Sequence, residues 1–159
     1  MLKWLWLSLL VLILDQASKL AVDASMQLYE SIPLLPYFNL TYAHNTGAAF
    51  SFLAHAGGWQ RWLFAGLAIV ISSIIYVWLM RLQKHETLMA TALSLVLGGA
   101  IGNLIDRVAY GYVIDFLDVY YKQWHWPAFN IADSAICIGV GLMLLESLGV
   151  GSKHADATE

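Results

Sequence analysis

Four long runs of apolar residues constrain the fold of this chain more than any other feature of its sequence. They cover residues 4–22, 62–82, 87–105 and 131–150, and a helix needs about 20 mostly apolar residues to cross a bilayer. Hydrophobic residues make up 60% of the 159-residue chain and charged residues only 12%, against about 25% charged residues in soluble domains. The sequence therefore predicts an integral membrane protein, mainly α-helical, with four transmembrane helices in a single domain, 1–150.

Basic residues give the predicted orientation of these helices. Lys3, Arg81, Lys84 and Lys153 fall on one side of a four-span chain, and cytoplasmic loops carry an excess of Lys and Arg. We therefore expect both termini in the cytoplasm, with residues 151–159 as a disordered tail there. Because the basic residues are dispersed and the net charge is −3, the sequence excludes a nucleic-acid-binding surface.

Two connections on the other side of the membrane are more than simple turns. Within 33–53, apolar and polar residues alternate from Phe38 to Tyr42, and Asn45-Thr46-Gly47 is typical of a turn. This pattern predicts a small extracytoplasmic β-hairpin or sheet. The segment 110–129 is rich in Tyr and Trp, which favours an interfacial aromatic flap in the headgroup layer.

Two aspartates, Asp115 and Asp133, lie where apolar runs meet polar loops. An ionised carboxylate near hydrocarbon is unfavourable unless it has a partner, so such residues usually serve a function. Two carboxyls brought close together in a low dielectric tend to share one proton at neutral pH. One can then act as a base on water while the other donates its proton to the scissile carbonyl. The pair predicts aspartic protease chemistry built on helices.

The other polar residues at this boundary have structural alternatives. Asp15 and Lys19 are spaced i to i+4 in the favourable order for a helical ion pair, so mutual neutralisation is at least as good an explanation as catalysis. Asn103 and Arg107 lie on one helix face, where they could hold a carboxylate, a peptide carbonyl or a lipid headgroup. For Asn103 and Arg107, the sequence favours a functional role and a purely structural role about equally.

Capping and turn formation are further alternatives to a role in function. Asn45 is a natural left-handed turn residue, and Asn130, Asp133 and Ser134 could simply begin the last helix. His85-Glu86 begins like a zinc-protease motif, but Met89 stands where the second histidine should be. The sequence therefore predicts no metal site and no cofactor.

Five segments, in order along the chain, carry a resemblance to a known family. They are Asp15-Gln16-Ala17-Ser18-Lys19, Asn45-Thr46-Gly47-Ala48-Ala49-Phe50, Gly98-Gly99-Ala100-Ile101-Gly102-Asn103-Leu104-Ile105-Asp106-Arg107, Val113-Ile114-Asp115-Phe116 and Phe129-Asn130-Ile131-Ala132-Asp133-Ser134. With these segments the chain resembles the lipoprotein signal peptidases, also called signal peptidase II, across nearly its whole length.

The resemblance implies removal of the signal peptide from diacylglyceryl-modified prolipoproteins, with cleavage just before the lipidated cysteine. It implies that Asp115 and Asp133 form the catalytic dyad. The positions that match supporting and substrate-contacting residues are Asp15, Lys19, Asn45, Gly47, Asn103, Arg107 and Asn130. It also implies a metal-free enzyme blocked by the cyclic peptide globomycin. We further expect a monomer in the bacterial cytoplasmic (inner) membrane, in contact with membrane lipid, with its active site toward the extracytoplasmic face.

A small proton-coupled carrier or channel subunit is the competing function, with Asp115, Asp133 and Arg107 as a relay. A transport path needs polar groups at mid-membrane depth that can be reached from both sides. The inner halves of the predicted spans are almost wholly apolar. A lipid-modified prolipoprotein peptide distinguishes the two functions, because a peptidase cuts it and a carrier does not.

Overall fold

The computed structural model describes residues 2–47 and 58–149. Within them, four α-helices combine with one four-stranded sheet. After a 3₁₀ turn, the elements in chain order are α1 (Leu5–Ser25), β1 (Ser31–Leu35), β2 (Phe38–Asn45), α2 (Gln60–Arg81), α3 (Thr87–Ala109), β3 (Val113–Tyr121), β4 (Trp124–His125) and α4 (Ile131–Ser147).

Three of the described helices are long and apolar enough to cross a membrane. They are α1, α2 and α3, with 21, 22 and 23 residues, and they agree with the first three predicted spans to within about one helical turn. The fourth helix, α4, begins at the predicted position but has 17 residues, which corresponds to about 26 Å. The last residue of the predicted fourth span and the tail 151–159 lie outside the described residues.

Helix α3 is central and packs against the other three helices. Small residues permit this close approach: a Cβ on Gly98 would lie 2.7 Å from Ser8 O of α1, and one on Gly99 would collide with Ala132 O of α4. By contrast, Ile74 of α2 is 59% exposed. Much of the apolar surface of α2 therefore faces outward, as expected of a helix that contacts lipid.

The sheet is antiparallel throughout, in the order β1-β2-β3-β4. The predicted strand from Phe38 lies in β2, and the chain bends at Gly47. Its hairpin partner is the preceding strand β1, which it joins at Tyr37, a residue with a φ of +70°. Pro33 is accommodated within β1 because that strand forms an edge of the sheet. The remainder of the predicted β region, 48–53, lies outside the described residues.

The aromatic segment 110–129 contributes two strands to the sheet. Its strand β3 pairs with β2 and turns at Lys122, which has a φ of +57°, into β4. The Tyr121 and Trp124 side chains flank this turn, and each is 60% exposed. A buried cluster links the sheet to the end of α1, and its members are Val22, Met26, Tyr42, Ile114 and Phe116. This packing holds β3 against the C-terminal end of α1.

Candidate active site

Asp115 and Asp133 come from different elements and meet through one asparagine. Asp115 lies on β3 and is 2% exposed, whereas Asp133 lies in the first turn of α4 and is partly buried. Asn130 Nδ2 donates to Asp115 Oδ1 at 2.7 Å, and the Asn130 backbone N–H donates to Asp133 Oδ2 at 3.3 Å. The two carboxyl groups therefore belong to one hydrogen-bonded unit.

Asn130 holds this position because it is also the N-cap of α4. Its Oδ1 accepts from the Asp133 backbone N–H at 2.9 Å, which together with the reciprocal bond forms a capping box. The capping role predicted for Asn130 and Asp133 is thus confirmed. Capping and contact with Asp115 use different atoms of Asn130, so the structural and functional explanations are compatible.

Each carboxylate has a second amide donor from another element. Asn45, the last residue of β2, donates from Nδ2 to Asp115 Oδ2 at 2.9 Å. Asn103, on α3, donates from Nδ2 to Asp133 Oδ1 at 2.7 Å. The left-handed turn conformation considered for Asn45 is wrong, since the residue ends a strand and has no positive φ.

Burial, and after it the charge of Asp133, raises the pKa of Asp115 to about 7. The amide donors Asn45 and Asn130 and the charge of Lys19 oppose this rise, because they favour the ionised carboxylate. At neutral pH the Asp115 carboxyl is therefore protonated in a large fraction of the molecules. This state is the one expected of two carboxyls that share a proton.

A buried ionic cluster lies beneath the two aspartates. Lys19 Nζ is 2.8 Å from Asp15 Oδ2 and 2.9 Å from Asp106 Oδ2, and each of these three residues is at most 1% exposed. The predicted ion pair between Asp15 and Lys19 is confirmed. Lys19 also donates to Asn103 Oδ1 at 3.0 Å. The cluster thereby orients the amide that contacts Asp133.

The two acids of this cluster also fix the backbone beside each candidate catalytic residue. Asp15 Oδ1 accepts from the Ala132 N–H at 2.9 Å, and Asp106 Oδ2 accepts from the Ile114 N–H at 3.2 Å. Ala132 directly precedes Asp133, and Ile114 directly precedes Asp115. Gly102 is required beside this cluster, since a Cβ there would lie 2.5 Å from the Asp15 carboxylate.

Arg107 connects the remaining predicted residues to the site. Its Nη1 donates to Asn103 O at 3.2 Å and its Nη2 donates to Gly47 O at 3.0 Å. The Gly47 N–H in turn donates to Asn45 Oδ1 at 3.0 Å. The guanidinium lies 5.6 Å from the ring centroid of Phe64 on α2. All nine residues singled out in the sequence therefore lie in one contiguous network.

Sequence reasoning missed Asp106 and Gln16 as members of this network. Gln16 Nε2 donates to Asp106 Oδ1 at 2.8 Å and to Gly102 O at 3.2 Å. The available signal was spacing, because Asp106 follows Asn103 by one helical turn and Gln16 adjoins Asp15. Within residues 2–47 and 58–149, no group of three or more His, Cys, Asp or Glu side chains could hold a metal ion.

Comparison with known proteins gives consistent matches over nearly the whole chain. The sequence model of a family described as signal peptidase (SPase) II matches residues 7–149. The lipoprotein signal peptidase of Alteromonas mediterranea is 52% identical over 155 residues, which cover 98% of this chain and 85% of the relative. The lipoprotein signal peptidase of Pseudoalteromonas translucida is 58% identical over 144 residues, which cover 91% of this chain and 87% of the relative. A solved structure of a bacterial membrane enzyme superposes with a TM-score of 0.86 at 31% identity, covering 99% of this chain and 94% of the other.

Proposed function

Since this chain belongs to the signal peptidase II family, we propose that it removes signal peptides from prolipoproteins with Asp115 and Asp133 as its catalytic pair. It is an aspartic peptidase, and it cleaves just before the diacylglyceryl-modified cysteine. The observation that carries the assignment of the pair is that Asn130 contacts both carboxylates while Asp115 has a pKa of about 7.

The proposed reaction needs one proton on the pair. The ionised carboxylate removes a proton from water, and the water oxygen forms a bond to the carbonyl carbon before the cysteine. The protonated carboxyl donates to the carbonyl oxygen. When the C–N bond breaks, a proton is transferred to the departing nitrogen, so that the products are a new carboxyl group and the free amine of the lipidated cysteine. Which aspartate is the base in the first step is a property of the coupled pair.

The remaining site residues fall into two proposed groups. Asn45 contacts Asp115, and Arg107 joins Gly47 to the Phe64 ring of α2, so these three residues are suited to contact the polar part of the substrate. The second group positions the two catalytic carboxyls through hydrogen bonds, and its members are Asp15, Lys19, Asn103 and Asn130. No residue of this second group needs to touch the substrate.

The lipid on the substrate is expected to stay in the bilayer during cleavage. Exposed apolar side chains occur toward the outer end of β3, since Val119 is 41% exposed and Tyr121 is 60% exposed. Acyl chains beside this end of the sheet avoid contact with water at about 0.8 kcal/mol per methylene.

Cleavage should consequently depend on lipidation. We expect a prolipoprotein peptide that carries diacylglycerol on its cysteine to be cut with a kcat/KM at least about a hundredfold above that of the same peptide without lipid, because several buried methylenes supply that difference. Purified protein in detergent and mass spectrometry of the products measure both rates and the position of the cut. Equal rates would refute lipid recognition, and no cleavage of either peptide would favour the carrier.

The proposed location is the bacterial cytoplasmic (inner) membrane, with both termini in the cytoplasm and α4 as the fourth span. The support is the basic pair formed by Arg81, which ends α2, and Lys84, in the loop before α3, together with the exposed aromatic rings around β4 at the opposite end. The sheet then lies at the extracytoplasmic surface, with its Tyr121 and Trp124 rings in the headgroup layer as the interfacial part of the protein. Labelling of a cysteine placed at Lys84 by a membrane-impermeant reagent in intact cells would contradict this orientation.

We propose that the enzyme acts as a monomer. In support, the donors described for the two carboxylates within residues 2–47 and 58–149 come from the same chain. Its partners are diacylglyceryl-prolipoproteins and membrane lipid. A globomycin-type cyclic peptide is expected to compete for the same site, in keeping with the family resemblance.

A further inference from the structure

The pairing of β2 with β3 contains one extra residue on β2, directly before the active site. Leu40 is opposite Leu117, and Ala43 is opposite Asp115. Two residues of β2 therefore lie between these pairs, against one residue of β3. An extra residue of this kind is a β-bulge.

This bulge decides which way Asn45 points. Side chains alternate between the two faces along a strand, so a shift of one residue moves every later side chain to the opposite face. Without the extra residue, Asn45 would lie on the face of the sheet away from Asp115. With it, Asn45 Nδ2 lies 2.9 Å from Asp115 Oδ2.

Thr41 and Tyr42 are the two residues of the bulge, and Tyr42 is held through both its backbone and its side chain. Its N–H donates to Glu30 O at 2.9 Å, and its carbonyl accepts from the Tyr29 N–H at 2.8 Å. The Tyr42 side chain is 4% exposed, and its hydroxyl donates to Asp23 Oδ1 at the end of α1. His44 Nε2 lies 2.8 Å from the same hydroxyl oxygen. We call Asp23, Tyr42 and His44 the Tyr42 cluster.

The cluster connects three elements that surround the active site. The His44 ring stacks on the Tyr112 ring with centroids 3.6 Å apart, and Tyr112 adjoins the first residue of β3. Burial and the hydrogen bond to Asp23 raise the pKa of Tyr42, so its hydroxyl stays protonated and remains a donor. The other titratable groups whose charge acts on this cluster or on Asp115 are Tyr112 before β3, Lys19 on α1 and Asp133 on α4. Tyr110 and Asp106 act in turn on Tyr112.

We propose that the Tyr42 cluster is a positioning device, which maintains the bulge in β2 and so holds Asn45 against Asp115. The inference rests on the proposed function of Asp115. Tyr42 belongs to the buried side of the sheet and touches neither carboxyl of the pair, so it acts through Asn45.

Replacement of Tyr42 by phenylalanine tests this role, because it removes the hydroxyl and keeps the buried ring. We expect Tyr42→Phe to lower kcat for a lipidated substrate about tenfold, which corresponds to one lost hydrogen bond, while KM changes less than about twofold. The alkaline limb of the pH profile should move to higher pH, because the bond from Asn45 favours ionised Asp115. Tyr29→Phe is the matched control, since its side chain is 73% exposed.

A double-mutant cycle separates positioning from general destabilisation. If Tyr42 acts through Asn45, Tyr42→Phe should have less than about a twofold further effect in an Asn45→Ala background. A tenfold loss in that background, or a Tyr42→Phe variant that behaves like Tyr29→Phe, would overturn the inference.

Asp23 gives a second route to the same test should Tyr42→Phe fail to fold. Asp23→Asn retains an acceptor for the Tyr42 hydroxyl and should lose less kcat than Asp23→Ala, and equal losses would count against positioning. The wild-type protein is assayed first. Absence of cleavage there would refute the proposed function, whereas normal cleavage by wild type and Tyr42→Phe alike would refute only the positioning role.

Discussion

Asp115→Asn and Asp133→Asn are each expected to lower kcat for a lipidated prolipoprotein by about 10²–10⁴-fold, which is the usual contribution of general acid–base catalysis. Asparagine keeps the volume of the side chain but can neither remove a proton from water nor donate one to the carbonyl. Single-turnover cleavage by the purified variants measures the loss. Asp118→Asn is the matched control, because Asp118 lies on the same strand but its carboxylate contacts Asn39 and His125 instead. Near-wild-type turnover by either active-site variant would exclude the carboxyl pair as the catalytic group.

The Asp115→Asn variant should also be at least as stable as the wild type at alkaline pH. With a pKa of about 7 in the folded protein and 3.8 as its ordinary value, Asp115 binds its proton more tightly when folded. Its contribution to folding stability is therefore fully present below about pH 4 and is lost as the pH rises through about 7, at most about 4 kcal/mol. Asparagine does not titrate, so the apparent Tm of the variant relative to wild type should rise between about pH 4 and pH 7, the range over which the loss occurs. If the difference in apparent Tm between variant and wild type did not change with pH, the raised pKa of Asp115 would be contradicted.

Lys19→Met is expected to destabilise the folded protein by about 3–5 kcal/mol, the usual effect of removing one partner from a buried ion pair. The substitution leaves the carboxylates of Asp15 and Asp106 without the cation that lies 2.8 and 2.9 Å from them. The apparent Tm in detergent measures the effect. Lys122→Met, at an exposed turn, is the matched control.

A second substitution shows whether the effect of Lys19→Met is electrostatic. Adding Asp106→Asn to Lys19→Met removes one of the two uncompensated charges, so part of the lost stability should return. If Lys19→Met were as stable as Lys122→Met, or if Asp106→Asn made it less stable, the buried cluster would not be held together by charge.

The helices and the site residues could be predicted because their signals are local. A run such as 87–105 contains its own evidence for a span, and the cost of an unpaired carboxylate near hydrocarbon singles out Asp115 and Asp133 without knowledge of their neighbours. Capping of α4 by Asn130 is likewise a short-range pattern, and the sequence offers it as one alternative.

The parts that could not be predicted depend on partners far apart in the chain. The segment 110–129 has an aromatic composition, but the ladder that makes most of β3 a strand is its pairing with β2, which lies far away in the chain. The hairpin between β1 and β2 was obscured by Pro33, which breaks the usual strand pattern and is tolerated at a sheet edge. Asp106 was missed for the same reason, since its ion-pair partner, Lys19, lies on another helix.

The bulge in β2 shows how much of the site depends on such long-range pairing. The register that pairs Phe38 with Val119, continued without the extra residue, would place Asn45 on the wrong face of the sheet for contact with Asp115. The extra residue is visible only once β3 is paired. The list of candidate site residues therefore does not contain the geometry that brings them together.

The pH dependence of kcat/KM for a lipidated prolipoprotein tests the shared-proton mechanism most directly, because it reports the ionisations of the free enzyme. At low pH both carboxyls are protonated, so no carboxylate is available as the base. Above the pKa of Asp115, about 7, the pair loses its one proton, so no carboxyl is available as the acid. For the wild type, the predicted result is a bell-shaped profile in which kcat/KM declines above about pH 7. The residual activity of Asp115→Asn should lack this decline, because asparagine does not titrate. A kcat/KM that keeps rising above about pH 8 would contradict catalysis by a singly protonated aspartate pair.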